Sequence, residues 1–206
     1  MIAVSRSAVR EAYHALEILD VVEVRRGTEG GTFIKELTRR PFTQRISDLL
    51  RLRKVNLADM TEARLMLEKD LALLAIEKIT DEDIESLHKW VERAFQKIKS
   101  SVPAHEENVR FHLRLAEASG NPLLSMVYSS VMDLFLLTLQ TLPAKLKSSR
   151  IIAEEHLKII SLLQSHDLDQ LLEFLDHHIK VSNRRLLKQS KENPIFSAAF
   201  WGEKGS

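Results

Sequence analysis

Cysteine is absent from all 206 residues. That excludes disulfides and thiolate metal sites, and it fits a reducing cytoplasm. Any transition metal would have to be held by His, Asp, Glu, Asn or water. Glycine and proline are scarce, at six and five residues, which leaves little of the punctuation of a loop-rich or disordered chain. No uninterrupted run of ~18 apolar residues stands out, so no membrane-spanning helix and no membrane partner are expected. No basic-then-apolar leader is visible either. What is present is 44% hydrophobic and 29% charged residues, the composition of a well-folded, helix-rich protein.

The net charge is only +1, but it is unevenly spread. Eleven basic and seven acidic residues fall within 1–54, so that stretch is net +4 and the remainder net −3. A basic head on a mildly acidic body points to a polyanionic partner for the head.

The head opens with "VSRSAVREAYHALEILDVVEVRRGTEGGTFI", residues 4–34. Ser5 is placed to cap a helix that starts at Arg6. Val9, Ala12, Tyr13, Leu16 and Leu19 recur at helical spacing, which predicts a buried stripe. Val21 to Arg26 alternates and is β-branched, so it reads as a strand. Gly27-Thr28-Glu29-Gly30-Gly31 reads as a tight turn before a return strand at Thr32-Phe33-Ile34. Residues 38–43 read as a linker. Beyond them the pattern predicts helices near 44–54, 57–79, 81–100, 104–119, 122–143, 148–165 and 168–189. Thr80-Asp81 offers an N-cap, and Ser119-Gly120-Asn121-Pro122 reads as a stop and restart. The fold class is therefore mostly α: a recognition helix with a β-wing over 1–37, then an all-α antiparallel bundle over 44–190. A tail of undefined placement occupies 191–206.

A helix braced by a two-stranded wing suits the major groove. Arg6 and Arg10 share a face, with Ser7 beside them. Arg6 could fork onto a guanine edge, Arg10 could meet a base or phosphate, and Ser7 a phosphate. Arg25, Arg26 and the wing glycines, Gly27 among them, could lie along the minor groove. Spacing alone fits a solvated amphipathic helix equally well. In the body, Asn108 and His112 stand four apart on one predicted helix, with His156 and His178 on two later ones. In an antiparallel bundle such side chains can meet in the core. Three imidazoles and one oxygen suit zinc, nickel, cobalt or manganese, with zinc or nickel first. Without a short ligand motif, spacing alone favours separate, unrelated histidines.

The head resembles the end of the winged helix-turn-helix of GntR-type bacterial transcription regulators. Val4, Ser5, Arg6, Val9, Arg10, Glu11, Ala12, Leu16, Val22, Val24, Gly27, Gly31, Thr32 and Phe33 carry the likeness. Tyr13-His14-Ala15 and Asp20 depart from it. The resemblance implies operator contacts at Arg6, Ser7 and Arg10, a wing tip at the minor groove, and two further helices ahead of Val4. A fragment without those helices is expected to bind DNA poorly. The body resembles the FCD ligand-sensing domain of the FadR-like subfamily, through "MTEARLMLEKDLALLA" (60–75), "NVRFHLRLAEASGNPLL" (108–124) and "HLKIISLLQSHDLDQLLEFLDHHI" (156–179).

That resemblance implies a divalent metal on Asn108, His112, His156 and His178, with His177 turned outward. Asn108 stands where the family usually has Asp, so the ligand set loses a charge. The resemblance also implies that Arg64 meets an effector carboxylate. An i,i+4 pair with Glu68 is the plainer role for that guanidinium. Taken together, the expectation is a homodimeric, cytoplasmic operator-binding regulator, by family habit a repressor, that senses a small carboxylate through a metal. The alternatives are direct anion capture by metal-free histidines, acyl-chain sensing without metal, a metal-dependent enzyme, and a ligand-free interaction domain.

Overall fold

The computed structural model describes residues 5–19, 21–25, 27, 30–35, 57–141 and 145–191. The predicted linker at 38–43, the predicted helix near 44–54, Arg26 and the tail from 192 lie outside them. The chain divides into two compact units, Met1–Ile46 and Ser47–Ser206.

In the first unit, α1 (Arg6–Ile18) is followed by β1 (Val22–Arg25) and β2 (Gly31–Ile34). Ser5 is the N-cap, its hydroxyl accepting from the Ala8 amide at 3.2 Å. The strands pair antiparallel from Val22 opposite Ile34 to Arg25 opposite Gly31. The wing turn needs its glycines. Gly27 has φ +116°, and a Cβ on Gly30 would sit 2.7 Å from the carbonyl oxygens of Arg25 and Gly27. One expectation is corrected. The apolar stripe on α1 is not buried: Val9 is 42% exposed, Tyr13 43%, Leu16 36% and Leu19 51%. Its period is right, but among the described residues nothing packs over it, and periodicity cannot supply a partner.

The second unit is a bundle of six helices among the described residues: α2 (Leu57–Ile76), α3 (Asp81–Lys99), α4 (His105–Ala118), α5 (Pro122–Thr141), α6 (Leu146–Gln164) and α7 (Leu168–Lys191). Local chemistry sets their ends. Thr80 and Asp83 form a capping box at the start of α3, satisfying amides that the helix itself leaves open. Gly120 turns at φ +67°, and the Asn121 side-chain oxygen accepts from the Leu124 amide at 3.1 Å to start α5. His166 takes φ +52° between α6 and α7 and is steadied by a 2.9 Å contact from its Nδ1 to the Ile76 carbonyl.

Two apolar clusters hold the bundle together. One joins Ala72, Leu87, Phe111, Ile159 and Leu171 among others, and the other joins Leu71, Leu113, Tyr128, Met132 and Phe135. Helix α4 feeds both, because Phe111 belongs to the first cluster and Leu113 to the second. His112 stands between them, fully buried.

Helix α5 corrects the reading of hydrophobic runs. Pro122–Gln140 has a mean hydropathy of 1.6, long and apolar enough by composition to span a membrane. Its uncharged Ser and Thr residues let it pass that test while breaking up any run of purely apolar residues. It packs in the bundle through buried Tyr128, Met132, Phe135 and Leu139.

Candidate metal and effector site

The three histidines that the family resemblance implies as ligands do meet. His112 Nε2 lies 3.2 Å from His156 Nε2 and 3.4 Å from His178 Nε2. One ligand atom from each falls within 4.8 Å of the others, and all three residues are buried. Two imidazole nitrogens about 2.0–2.1 Å from one tetrahedral or octahedral ion stand roughly 2.9–3.4 Å apart. The two separations at His112 fall in that range.

Two of the three rings have a carboxylate behind them. His112 Nδ1 is 2.5 Å from Glu68 Oε1, and His178 Nδ1 is 2.7 Å from Glu155 Oε2. A ring nitrogen that faces a carboxylate carries the proton, which leaves the Nε2 lone pair pointing inward. The lone pairs of His112 and His178 therefore face each other across 3.4 Å, an arrangement that asks for a cation. His156 is aligned differently, stacked on Phe111 with ring centroids 3.9 Å apart and planes 7° apart. Burial pushes the His112 pKa down to about 4, Glu68 only partly opposing it. Burial likewise drives His156 well below the ordinary value, with His112, His178 and Arg64 adding to the effect.

Arg64 is also buried, at 2% exposed. Its Nε donates to Glu68 Oε2 at 3.0 Å, so the plain i,i+4 pair is made. Its Nη2 reaches His112 Nε2 at 2.8 Å, and its guanidinium lies 5.0 Å from the Phe135 ring centroid. Tyr128 donates to the same Glu68 oxygen at 2.7 Å. Burial pushes the Glu68 carboxyl up, but His112, Arg64 and Tyr128 outweigh it and hold the pKa below the carboxylate range. The guanidinium thus serves the pair, the histidine and the cavity wall together.

A cavity opens beside the triad. Its empty space is about 620 Å³, counting the part open to solvent, and Arg64, Asn108 and His156 line it. Asn108 is buried, and its Oδ1 has no hydrogen-bond partner. An orphaned oxygen here is a spare ligand. Three converging imidazole Nε2 atoms and one unpaired amide oxygen fit a divalent transition ion. An ion on His112 Nε2 would displace the Arg64 hydrogen bond.

Of the other histidines, His105 lines the cavity and the exposed ones stay outside it. His177 is exposed, one step around α7 from His178, as is His14 on α1. Among the DNA-contact candidates, Arg6, Ser7 and Arg10 all lie exposed on α1, and Gly27 forms the wing turn. Arg25 is forked onto Glu23 at 3.2 and 3.3 Å.

The sequence reading missed several partners: Glu68 as a brace for His112, Glu155, Tyr128, Ser182 and Arg185. Helical spacing could have flagged Ser182 and Arg185, four and seven residues beyond His178 on the same face. Nothing in the sequence pairs Glu155 with His178, because that contact crosses between helices.

Comparison with known proteins agrees with this architecture. Residues 59–181 match the FCD domain. The chain is 34% identical over 161 residues to the HTH-type transcriptional regulator LutR of Bacillus subtilis, spanning 76% of this chain and 73% of that protein. It is 26% identical over 184 residues to the HTH-type transcriptional repressor NanR of Escherichia coli K12, spanning 85% and 68%. Among solved structures, a GntR protein of Streptococcus agalactiae is similar at TM-score 0.70 and 26% identity, over 88% of this chain and 83% of that one.

Proposed function

Because the chain belongs to the GntR-type transcription regulators that carry an FCD domain, we propose that its helical body senses a small organic acid through a divalent metal ion. Asn108, His112, His156 and His178 would hold the ion. Bound there, it supplies a fixed positive charge with open positions for a carboxylate. The chain's own part is to keep His112 and His156 neutral by burial, to orient His112 and His178 through Glu68 and Glu155, and to place Arg64 at the cavity wall. A guanidinium at that wall is suited to take a carboxylate by its planar fork.

The observation that carries this reading is the convergence of the His112, His156 and His178 Nε2 atoms in one buried place. Carboxylates behind His112 and His178 turn the Nδ1 protons of those rings away from the shared point, which weighs against metal-free anion capture there. A cavity wall with unpaired polar atoms weighs against an acyl chain, which would leave them unsatisfied. The matched relatives are transcription regulators and not enzymes, so the triad is not read as a water-activating centre.

On the DNA side, Arg6, Ser7, Arg10, Arg26 and Gly27 are proposed to meet the operator, as part of a homodimer on a two-fold site. Effector contacts made in only one arrangement of the bundle would shift the population between two spacings of the DNA-binding units. The test is metal content by elemental analysis after loading with zinc or nickel. About one ion per chain is expected for the unaltered protein and none for His112→Ala or His156→Ala, with helical circular dichroism retained. Asn108→Asp should tighten binding, since it restores a charge. Full metal content in both histidine variants would remove the assignment.

A further inference from the structure

The cavity beside the triad continues past it. Its wall also includes Lys145, Ser148, Ser149, Ser182 and Arg185, and these cluster at one end for a topological reason. Helices α6 and α7 are consecutive and joined by the short Ser165–Asp167 turn, so they run antiparallel. The start of α6 and the later half of α7 therefore share an end of the bundle. Ser149 lies seven residues before His156 on α6, and Arg185 lies seven residues after His178 on α7. Seven residues return to the same helix face, roughly 10 Å along it. Each helix thus carries a metal-site histidine at one level and a hydroxyl or guanidinium about two turns away.

Three further features mark this second end. Among the described residues no acidic side chain lines the cavity, whereas Arg64, Lys145 and Arg185 all do. Ser182 is buried, at 6% exposed, and its Oγ has no hydrogen-bond partner; nor does Arg185 Nη1. Glu155 Oε1 stands 3.6 Å from that Nη1, beyond hydrogen-bond reach, so it balances part of the charge without satisfying the donor. Finally, α6 starts at this end with no side-chain cap at Lys145 and no acid in its first turn. The first amides of α6 therefore lie at this end of the cavity. Buried donors without acceptors are unfavourable until something supplies the acceptors.

We propose that the effector is a short-chain dicarboxylic acid. One carboxylate would sit at the metal and Arg64, and the second at Ser182, Arg185 and the start of α6. This rests on the metal-site reading above and extends it from one anchoring point to two. Ser182 and Arg185 then act as the specificity-determining residues, because a monoacid would leave their donors unpaired.

The test uses the zinc-loaded chain and calorimetric titration with three matched pairs: succinate and butyrate, glutarate and valerate, adipate and caproate. At least one diacid should bind tenfold or more tightly than its matched monoacid. Arg185→Gln and Ser182→Ala should each reduce that preference to threefold or less while leaving zinc content unchanged. If every monoacid binds as tightly as its partner, or no diacid binds the zinc-loaded protein, the two-anchor proposal is overturned and the metal site stands. A chain that takes up no zinc removes both, and elemental analysis of the same sample separates the two failures.

Discussion

Two helices of nearly equal length, α1 and α4, carry similarly spaced apolar residues and meet opposite fates. Of the 13 residues of α1, none is buried. Of the 14 residues of α4, nine are, including Glu107, Asn108 and His112. The period that makes one face of a helix apolar is a request for a partner. Helix α4 has four, since it packs against α2, α3, α5 and α6. Once enclosed on all sides, even its polar residues are taken out of water, and that is where the chemistry gathers. Helix α1 has only the wing beside it among the described residues, and its arginines stay solvated, as suits a surface meant for a polyanion.

The sharpest way to break this contrast is Phe111→Ala. Phe111 is fully buried and stacks on His156, so truncation should cost about 3–5 kcal/mol in urea unfolding and should also weaken metal binding by freeing the His156 ring. A loss under 1 kcal/mol would show that α4 is not the core helix described above.

Next in size is a pH effect, read with metal removed by a chelator. Native His112 stays neutral down to a pKa of about 4, whereas the unfolded imidazole protonates near its ordinary ~6.5. Between those values the unfolded chain binds more protons, so stability is full above about 6.5 and declines as pH falls towards 4. His156 acts in the same direction. The Glu68 contribution persists through that window and fades only below the unfolded carboxylate value of ~4.3. His112 alone should lower unfolding free energy by about 2 kcal/mol between pH 7 and pH 5. Equal stability at both values in urea melts would mean that the imidazoles are not kept neutral by burial.

Glu155→Gln is expected to weaken zinc binding by about tenfold, measured by competition with a chromophoric chelator, because His178 loses the carboxylate that fixes its tautomer. An unchanged affinity would reduce Glu155 to a partner of Arg185. Smallest of all, Leu16→Ala on α1 should change stability by no more than about 1 kcal/mol, since that side chain is only partly covered. A loss of 2 kcal/mol would reveal a covering partner.

The sequence by itself determined the elements and most of their ends. Caps at Ser5, Thr80 and Asn121, and turns at Gly27 and Gly120, are local chemistry acting over three or four residues, so they can be read directly. It also nominated His112, His156, His178, Asn108 and Arg64, by helical spacing and family likeness. Only the tertiary structure decided that the three rings share one point, that Glu68 and Glu155 stand behind two of them, and that the cavity runs on to Ser182 and Arg185. Those relations cross between helices, as where Glu155 meets His178 from 23 positions away and His112 meets it from 66, and their geometry depends on how helices rotate about their axes when packed. Periodicity fixes which face of a helix is apolar; what that face meets is settled only when the helices close around a common core.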